Sequence, residues 1–161
     1  MKMLVRVMLV GAGLLMPIVL IAADTAPNFL VLDHSPVRAR LPFSDAVVAG
    51  NTLYVAGTIG LDPKTIAANA AGAPGVPADP QAEARLVMDG VKRTVEAAGF
   101  KMEDLVTVQV FCTDLGLYDA FNDVYRSYFS GHYPARALVG VDKLVRGAHF
   151  EVMGVAVKGS H

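Results

Sequence analysis

The sequence predicts an α+β domain in which a mixed β-sheet carries two helices packed on one face. Strand-like segments at both ends of the domain enclose two helix-like segments, which are separated by one more strand-like segment. The strands are apolar on both sides, so the face opposite the helices needs a cover, which self-association of the chain would supply. In a chain of 161 residues we expect one domain over residues 40–158, preceded by a linker with the first strand over residues 24–39.

The first 23 residues have the composition of a secretory signal. Lys2 and Arg6 form a basic start, residues 7–22 are uncharged and mostly apolar, and the segment ends in small residues suited to cleavage. We expect residues 1–23 to be a cleaved signal peptide, so that the mature protein is periplasmic or secreted and leaves no part in the membrane. An uncleaved N-terminal anchor is the alternative, although the apolar run is at the short limit for a spanning helix.

The charge balance and the residue counts argue against several classes of function. Of the 14 basic residues, two would leave with the leader, so the mature chain has 12 basic against 15 acidic residues and a formal charge of −3. This balance gives nucleic-acid binding little electrostatic support. Cys112 is the only cysteine, and its alternation with apolar neighbours predicts a buried thiol. The four histidines lack ligand spacing, so we expect no metal site.

The first part of the domain contains a β-hairpin signal. Gly50-Asn51 is a two-residue turn between the strand-like segments 46–49 and 52–56. Residues 57–79 are rich in Gly, Pro and Ala and have little periodicity, so we expect a long loop there that shapes access to a site.

The remaining elements follow from helix caps and periodicity. Asp79-Pro80 predicts a helix start, because Asp caps a helix and Pro fits its first position, and Gly99 fits a left-handed helix end. A second helix is predicted over residues 115–129, where apolar side chains recur on one face. Three more strands are predicted over residues 106–112, 135–142 and 148–157.

Tyr133-Pro134-Ala135-Arg136 is the most informative motif of the chain. Pro134 excludes a helix at its own position and favours an extended backbone before it, so Arg136 stands at the start of a strand. In that position the rigid, permanently charged guanidinium group of Arg136 suits a carboxylate ligand. The alternative is an ordinary surface arginine after a turn.

Glu151 is a second candidate because it interrupts an apolar strand, where acidic residues are rarely buried without a partner. The alternative is an edge carboxylate that faces solvent. If residues 143–147 form the turn of a hairpin, the last two strands pair and Leu138 can lie opposite Glu151. Arg136 and Glu151 are then expected to be diagonal neighbours on the same face of the sheet.

Several segments of the chain together resemble the Rid family, the YjgF-type imine deaminases. The resemblance runs from about residue 40 to residue 157 and is carried by Asn122 and by residues 42–47, 53–57, 133–136 and 150–157. It implies a chorismate-mutase-like fold and a homotrimer with ligand clefts between its subunits. It also implies a small-molecule carboxylate as the substrate. We expect no cofactor, because an iminium carbon is already electrophilic.

The resemblance implies that Arg136 and Glu151 are catalytic. The matching arginine of the family holds the substrate carboxylate. The matching glutamate positions the water or transfers a proton while the water attacks the C=N carbon. This division of labour is chemically sensible, because the reaction needs the acid end held, a water placed and a proton moved.

The resemblance further implies that Phe43, Gly57, Asn122 and Leu138 line the substrate site. Phe43 stands where the family usually has a tyrosine, so one polar contact is lost and the identity of the substrate is open. Leu138 stands where a cysteine is common, and its role would need only its backbone groups. For Asn122 the alternative is an amide on the helix surface.

The sequence therefore predicts an exported Rid-type protein that hydrolyses 2-enamino or 2-imino acids to 2-keto acids and ammonia. A non-catalytic protein that binds small carboxylates in the same cleft is the alternative, and export favours it because the usual enamine sources are cytoplasmic. Chaperone-like or ribonuclease activity is a third possibility, and the acidic charge argues against the ribonuclease.

Overall fold

A computed structural model describes residues 26–36, 38–62 and 75–159 of the chain. The predicted signal peptide and residues 63–74 of the predicted long loop lie outside these residues. The described part contains six strands and two α-helices: β1 Asn28–Leu30, β2 Ala46–Ala49, β3 Thr52–Ile59, α1 Pro80–Ala97, β4 Leu105–Cys112, α2 Tyr118–Arg126, β5 Ala135–Gly140 and β6 Phe150–Val157. None of the helices in this part is long and apolar enough to cross a membrane.

The six strands form one mixed sheet in the order β1-β2-β3-β6-β4-β5. Only β4 and β5 are parallel, and the other neighbours are antiparallel. The predicted hairpin is confirmed, because Ala49 pairs with Thr52 across the two-residue turn and Gly50 has a left-handed φ of 60°. The α+β class predicted from the order of the elements is also confirmed.

Helix α1 begins and ends where its caps predict. The Asp79 carboxylate accepts hydrogen bonds from the backbone N–H groups of Gln81 (3.1 Å) and Ala82 (3.3 Å), and Gly99 has a left-handed φ of 76° just after the helix. Helix α2 is shorter than predicted, because a 3₁₀ turn over Leu115–Leu117 precedes it. Helix α1 packs against β3, β6 and α2, so both helices cover one face of the sheet.

The core lies between this face of the sheet and the two helices. Its members share complete or nearly complete burial, and they include Leu53, Val87, Val91, Val108, Val110, Phe121, Phe150 and Val152. The thiol of Cys112 is buried, as the alternation of β4 predicts. The opposite face remains open in a single chain, and large apolar side chains such as Tyr54 and Met153 are exposed there.

The prediction that the last two strands form a hairpin is wrong. Strand β6 pairs with β3 on one edge and β4 on the other, so β4 lies between β6 and β5. The reason is that β4, α2 and β5 form a parallel crossover unit, in which the connecting helix brings β5 back beside β4. The other edge of β4 is then available for β6. Residues 141–149 cross over β4 to reach that edge, instead of forming the tight turn of a hairpin.

Candidate active site

Arg136 lies on β5 with its side chain on the helix side of the sheet. It pairs in register with the buried Val108, and its guanidinium carbon is 4.6 Å from the ring centroid of Tyr125 and 5.9 Å from that of Tyr118. Both tyrosines belong to α2. No carboxylate of the described residues forms an ion pair with Arg136. Arg136 is half-buried, and because its guanidinium has no charged partner among the described residues, its N–H groups are available to an anionic ligand.

Tyr125 belongs to a chain of aromatic contacts that runs along α2 to the start of β5. Its ring centroid is 5.9 Å from that of Phe121, 4.8 Å from that of Phe129 and 6.4 Å from that of Tyr133. Its hydroxyl is buried and has no hydrogen-bond partner within the described ranges. Burial raises the pKa of Tyr125 to about 12, although the nearby Arg136 acts in the opposite direction. The phenol is therefore neutral near pH 7.

Asn122 and Leu138 lie on the same side of the sheet as Arg136. Asn122 follows Tyr118 by four residues and precedes Tyr125 by three, so helical spacing places it on the same face of α2 as both tyrosines. It is buried, which argues against the alternative of a surface amide. Leu138 pairs in register with Val110 and packs against the core.

Glu151 lies on the opposite, open face of the sheet. Its neighbours along β6, Phe150 and Val152, are fully buried on the helix side, so alternation turns Glu151 the other way. Its carboxylate occupies the space above Gly57, where a β-carbon would collide with the Glu151 Oε1 atom. Gly57 lies where the register between β3 and β6 shifts. Like Arg136, Glu151 has no ion-pair partner among the described residues.

Phe43 is exposed and precedes β2. Two residues later, the Asp45 carbonyl accepts a hydrogen bond of 3.0 Å from the Ala56 amide, directly before Gly57 in β3. This bond brings the segment that contains Phe43 to the end of β3 that carries Gly57. The site residues predicted from the sequence thus fall into two groups, one with Arg136 and one with Glu151.

The prediction that Arg136 and Glu151 are neighbours on the same face of the sheet is also wrong. Arg136 pairs with Val108 of β4 and Glu151 pairs with Phe111 of the same strand, and their side chains leave the sheet on opposite faces. The alternation of β4 explains this, because residues an odd number of positions apart point to opposite sides. A small ligand held by Arg136 is therefore separated by the sheet from Glu151 of the same chain.

Glu83 is a notable residue that the sequence analysis missed. This fully buried carboxylate of α1 accepts hydrogen bonds from the backbone N–H groups of His149 (2.7 Å) and Phe150 (3.1 Å), and it lies 2.7 Å from His149 Nδ1. It thereby anchors the residue before β6 and the first residue of β6, next to Glu151. Its spacing in the sequence could have indicated its burial, because Glu83 precedes Val87 by four residues and therefore lies on the apolar face of α1.

The ionisable side chains offer no metal site within residues 26–36, 38–62 and 75–159. No group of three or more His, Cys, Asp or Glu residues in these ranges could hold a metal ion.

The family described as Endoribonuclease L-PSP matches residues 34–158 of the chain. A RutC family protein of Sulfurisphaera tokodaii is 38% identical over 118 residues, which are 73% of this chain and 89% of that protein. The 2-iminobutanoate/2-iminopropanoate deaminase of Escherichia coli K12 is 37% identical over 120 residues, which are 73% of this chain and 88% of that enzyme.

Solved structures agree with these relatives. The YjgF gene product from E. coli superimposes with a TM-score of 0.69 at 34% identity, covering 81% of this chain and 98% of that one. E. coli TdcF with bound serine superimposes with a TM-score of 0.65 at 32% identity, covering 74% of this chain and 90% of that one. These neighbours confirm the expected chorismate-mutase-like arrangement of sheet and helices.

Proposed function

This chain belongs to the Rid family, matched under the description Endoribonuclease L-PSP, and we propose that it is a hydrolytic deaminase of 2-enamino or 2-imino acids. The products would be the 2-keto acid and ammonia: water adds to the C=N carbon, the C–N bond breaks, and the nitrogen leaves with the protons it has gained. The observation that carries the proposal is that neither Arg136 nor Glu151 has an ion-pair partner among the described residues, in a chain whose relatives include 2-iminobutanoate/2-iminopropanoate deaminases.

In the proposed site Arg136 binds the substrate carboxylate through its two-pronged guanidinium edge. Glu151 positions the attacking water and moves its proton. Asn122 and the backbone of Leu138 line the site beside Arg136, and Gly57 and Phe43 line it beside Glu151. An iminium carbon is already electrophilic, so placement of the two reactants supplies much of the rate.

The proposed site is built between subunits of a homotrimer. Arg136 and Glu151 lie on opposite faces of one sheet, so a ligand that uses both must lie between Arg136 of one copy and Glu151 of another. The exposed apolar side chains of the open face, such as Tyr54 and Met153, support an interface there. Such a head-to-tail contact closes into a ring, and the family resemblance suggests that the ring has three members.

The first experiment generates 2-iminopropanoate in situ and follows its loss in the presence of the protein. Loss faster than spontaneous hydrolysis supports the deaminase. No acceleration with several different imino acids contradicts it. Light scattering under the same conditions measures the assembly, and a stable monomer at micromolar concentration contradicts the trimer.

A subunit-mixing experiment tests the shared site directly. At substrate concentrations well below KM, Arg136→Ala and Glu151→Gln chains are each expected to retain only a small fraction of wild-type activity when alone. When they are co-expressed and assemble at random, about a quarter of the sites combine an intact Arg136 with an intact Glu151 from the neighbouring copy. Activity should therefore recover to about a quarter of the wild-type value. Absence of recovery in verified mixed trimers contradicts a site between subunits.

Non-catalytic binding of a small carboxylate is the second candidate. Phe43 favours it, because this side chain lacks the hydroxyl that the family usually places there, and the solved relative TdcF carries bound serine. A protein that binds a 2-keto acid through Arg136 but does not accelerate imine loss would support this candidate over the deaminase.

We further propose that residues 1–23 are a signal peptide and that the mature protein acts in the periplasm or outside the cell. The support is the basic start, the apolar run and the small residues that end it. Mass spectrometry of the native protein should find an N-terminus near Asp24. An intact Met1 in a membrane fraction would favour the uncleaved anchor.

A further inference from the structure

We propose that Tyr125 is a positioning residue that orients the Arg136 guanidinium for the carboxylate of the ligand, with Tyr118 as a second, weaker contact. The inference rests on the proposed function, because it assigns Arg136 a carboxylate ligand. It adds a residue that is not expected to touch the substrate and that acts on binding only through Arg136.

The distance of the contact suits a guanidinium that still binds a ligand. The Arg136 guanidinium carbon lies 4.6 Å from the Tyr125 ring centroid, well within the range of an attractive cation–π contact. An arginine that stacks on a ring uses the face of its guanidinium plane, whereas its N–H donors point outward along the edge of that plane. The proposal assigns Arg136 this stacked arrangement, in which the ring orients the guanidinium and leaves its N–H donors to the carboxylate.

Tyr125 can direct Arg136 because the tyrosine itself is immobilised. Its side chain is only 4% exposed, and its ring contacts the rings of Phe121, Phe129 and Tyr133. Tyr118 differs, because it is 46% exposed and its ring centroid is 5.9 Å from the guanidinium carbon. The buried ring is therefore the main support, and the exposed ring of Tyr118 is the weaker contact.

Support of this kind strengthens binding because a free arginine side chain has many rotamers. Ordering such a side chain when a ligand binds reduces affinity, and a side chain ordered in advance avoids most of that loss. No acidic residue of the described chain forms an ion pair with Arg136, so its two aromatic contacts are what orders it before the ligand arrives.

The competing explanation is that Tyr125 is only a core residue. Truncating it would then lower stability and leave the affinity for a carboxylate unchanged. The two explanations separate in a double-mutant cycle, because a residue that acts through Arg136 has no effect on binding once Arg136 is gone.

The experiment measures pyruvate binding by NMR titration with the wild-type chain, Tyr125→Leu, Arg136→Ala and the double variant. We expect Tyr125→Leu to weaken binding by about threefold to tenfold, and to cause no further loss in the Arg136→Ala background. In the imine assay the same variant should raise KM by a similar factor and leave kcat unchanged. Pyruvate represents the keto acid that the proposed reaction releases.

Two controls separate orientation from folding. Tyr125→Phe keeps the ring and removes a hydroxyl that has no partner in the described structure, so binding should equal that of the wild type. Val124→Ala truncates a buried neighbour on the same helix, so it should lower the melting temperature without changing affinity. If Tyr125→Leu does not fold, Tyr118→Leu decides, because an exposed side chain can be truncated safely and about twofold weaker binding is expected.

Three results would overturn the inference. They are unchanged binding by a folded Tyr125→Leu, an equal loss from Tyr125→Leu in the presence and absence of Arg136, or, where only Tyr118→Leu folds, unchanged binding by that variant. Unchanged binding by Arg136→Ala is a different failure: it contradicts the proposed role of Arg136 itself.

Discussion

The carboxylate of Glu151 occupies the space that a side chain at Gly57 would fill. The space at Gly57 is therefore set by a neighbouring side chain on the next strand, since the Gly57 backbone has no left-handed conformation. An alanine here would collide with the end of a flexible side chain, which can rotate away. We expect Gly57→Ala to fold and to displace the Glu151 carboxylate.

The expected result for Gly57→Ala is a loss of turnover of about 10- to 100-fold, because a small displacement of a catalytic group has effects of this size. The imine assay measures it. Gly131→Ala is the matched control, since a β-carbon at that position meets no atom within 4 Å. Equal activities of the two variants would show that the position of Glu151 does not matter for turnover.

Removal of the Arg136 guanidinium should weaken ligand binding and leave the fold intact. Arg136→Ala deletes a charge-assisted contact of roughly 1.5–3 kcal/mol, which corresponds to about 10- to 150-fold weaker binding. Arg136→Lys should not restore affinity, because a single ammonium cannot reproduce the two-pronged contact. Calorimetric titration with a 2-keto acid checks both variants. Wild-type affinity in both would assign the carboxylate site elsewhere.

Glu151→Gln separates chemistry from binding. The amide keeps the shape of the side chain but cannot take up a proton from the attacking water, so turnover should fall by about 100-fold or more. Binding of a 2-keto acid should be unchanged, because Arg136 remains. The comparison uses the imine assay beside the titration. Parallel losses in both would mean that Glu151 acts in binding.

The fully buried Glu83 should contribute strongly to the stability of the fold. Glu83→Ala leaves the amides of His149 and Phe150 without their buried acceptor, and at about 1–3 kcal/mol for each unsatisfied group we expect a loss of about 2–6 kcal/mol. Urea denaturation at one fixed protein concentration measures it. Glu96→Ala is the control on the same helix, because its exposed pair with Lys92 at 3.9 Å contributes less than about 1 kcal/mol.

The raised pKa of Tyr125 predicts that the folded chain loses stability at high pH. Its pKa is raised from the ordinary value of 10 to about 12 in the folded chain, so the folded state favours the neutral phenol. In the unfolded chain the phenol ionises above pH 10, and this stabilising contribution is therefore lost as the pH rises from about 10 to 12. Tyr125→Phe has no such dependence. Denaturation of both proteins at several pH values measures their free energies of unfolding. Between about pH 10 and 12 the wild type should lose stability relative to Tyr125→Phe.

The elements that could be predicted from the sequence are those that depend on neighbouring residues. Asp79 and Gly99 mark the ends of α1 because capping involves groups only a few residues away, such as the amides of Gln81 and Ala82. Gly50 marks the hairpin because its turn closes within four residues. The chemical candidates, Arg136 and Glu151, also stood out locally, the first through Pro134 and the second as a charge in an apolar strand.

The sequence alone determined which side chains are unusual for their surroundings, whereas the tertiary structure decided which of them can meet. The strand order depends on which edge of β4 each partner occupies, and that choice involves residues tens of positions apart. It placed Arg136 against Tyr125 on the helix side and Glu151 over Gly57 on the open side. The burial of Glu83 was decided in the same way, because its partners at the start of β6 are more than 60 residues away and no local pattern connects them.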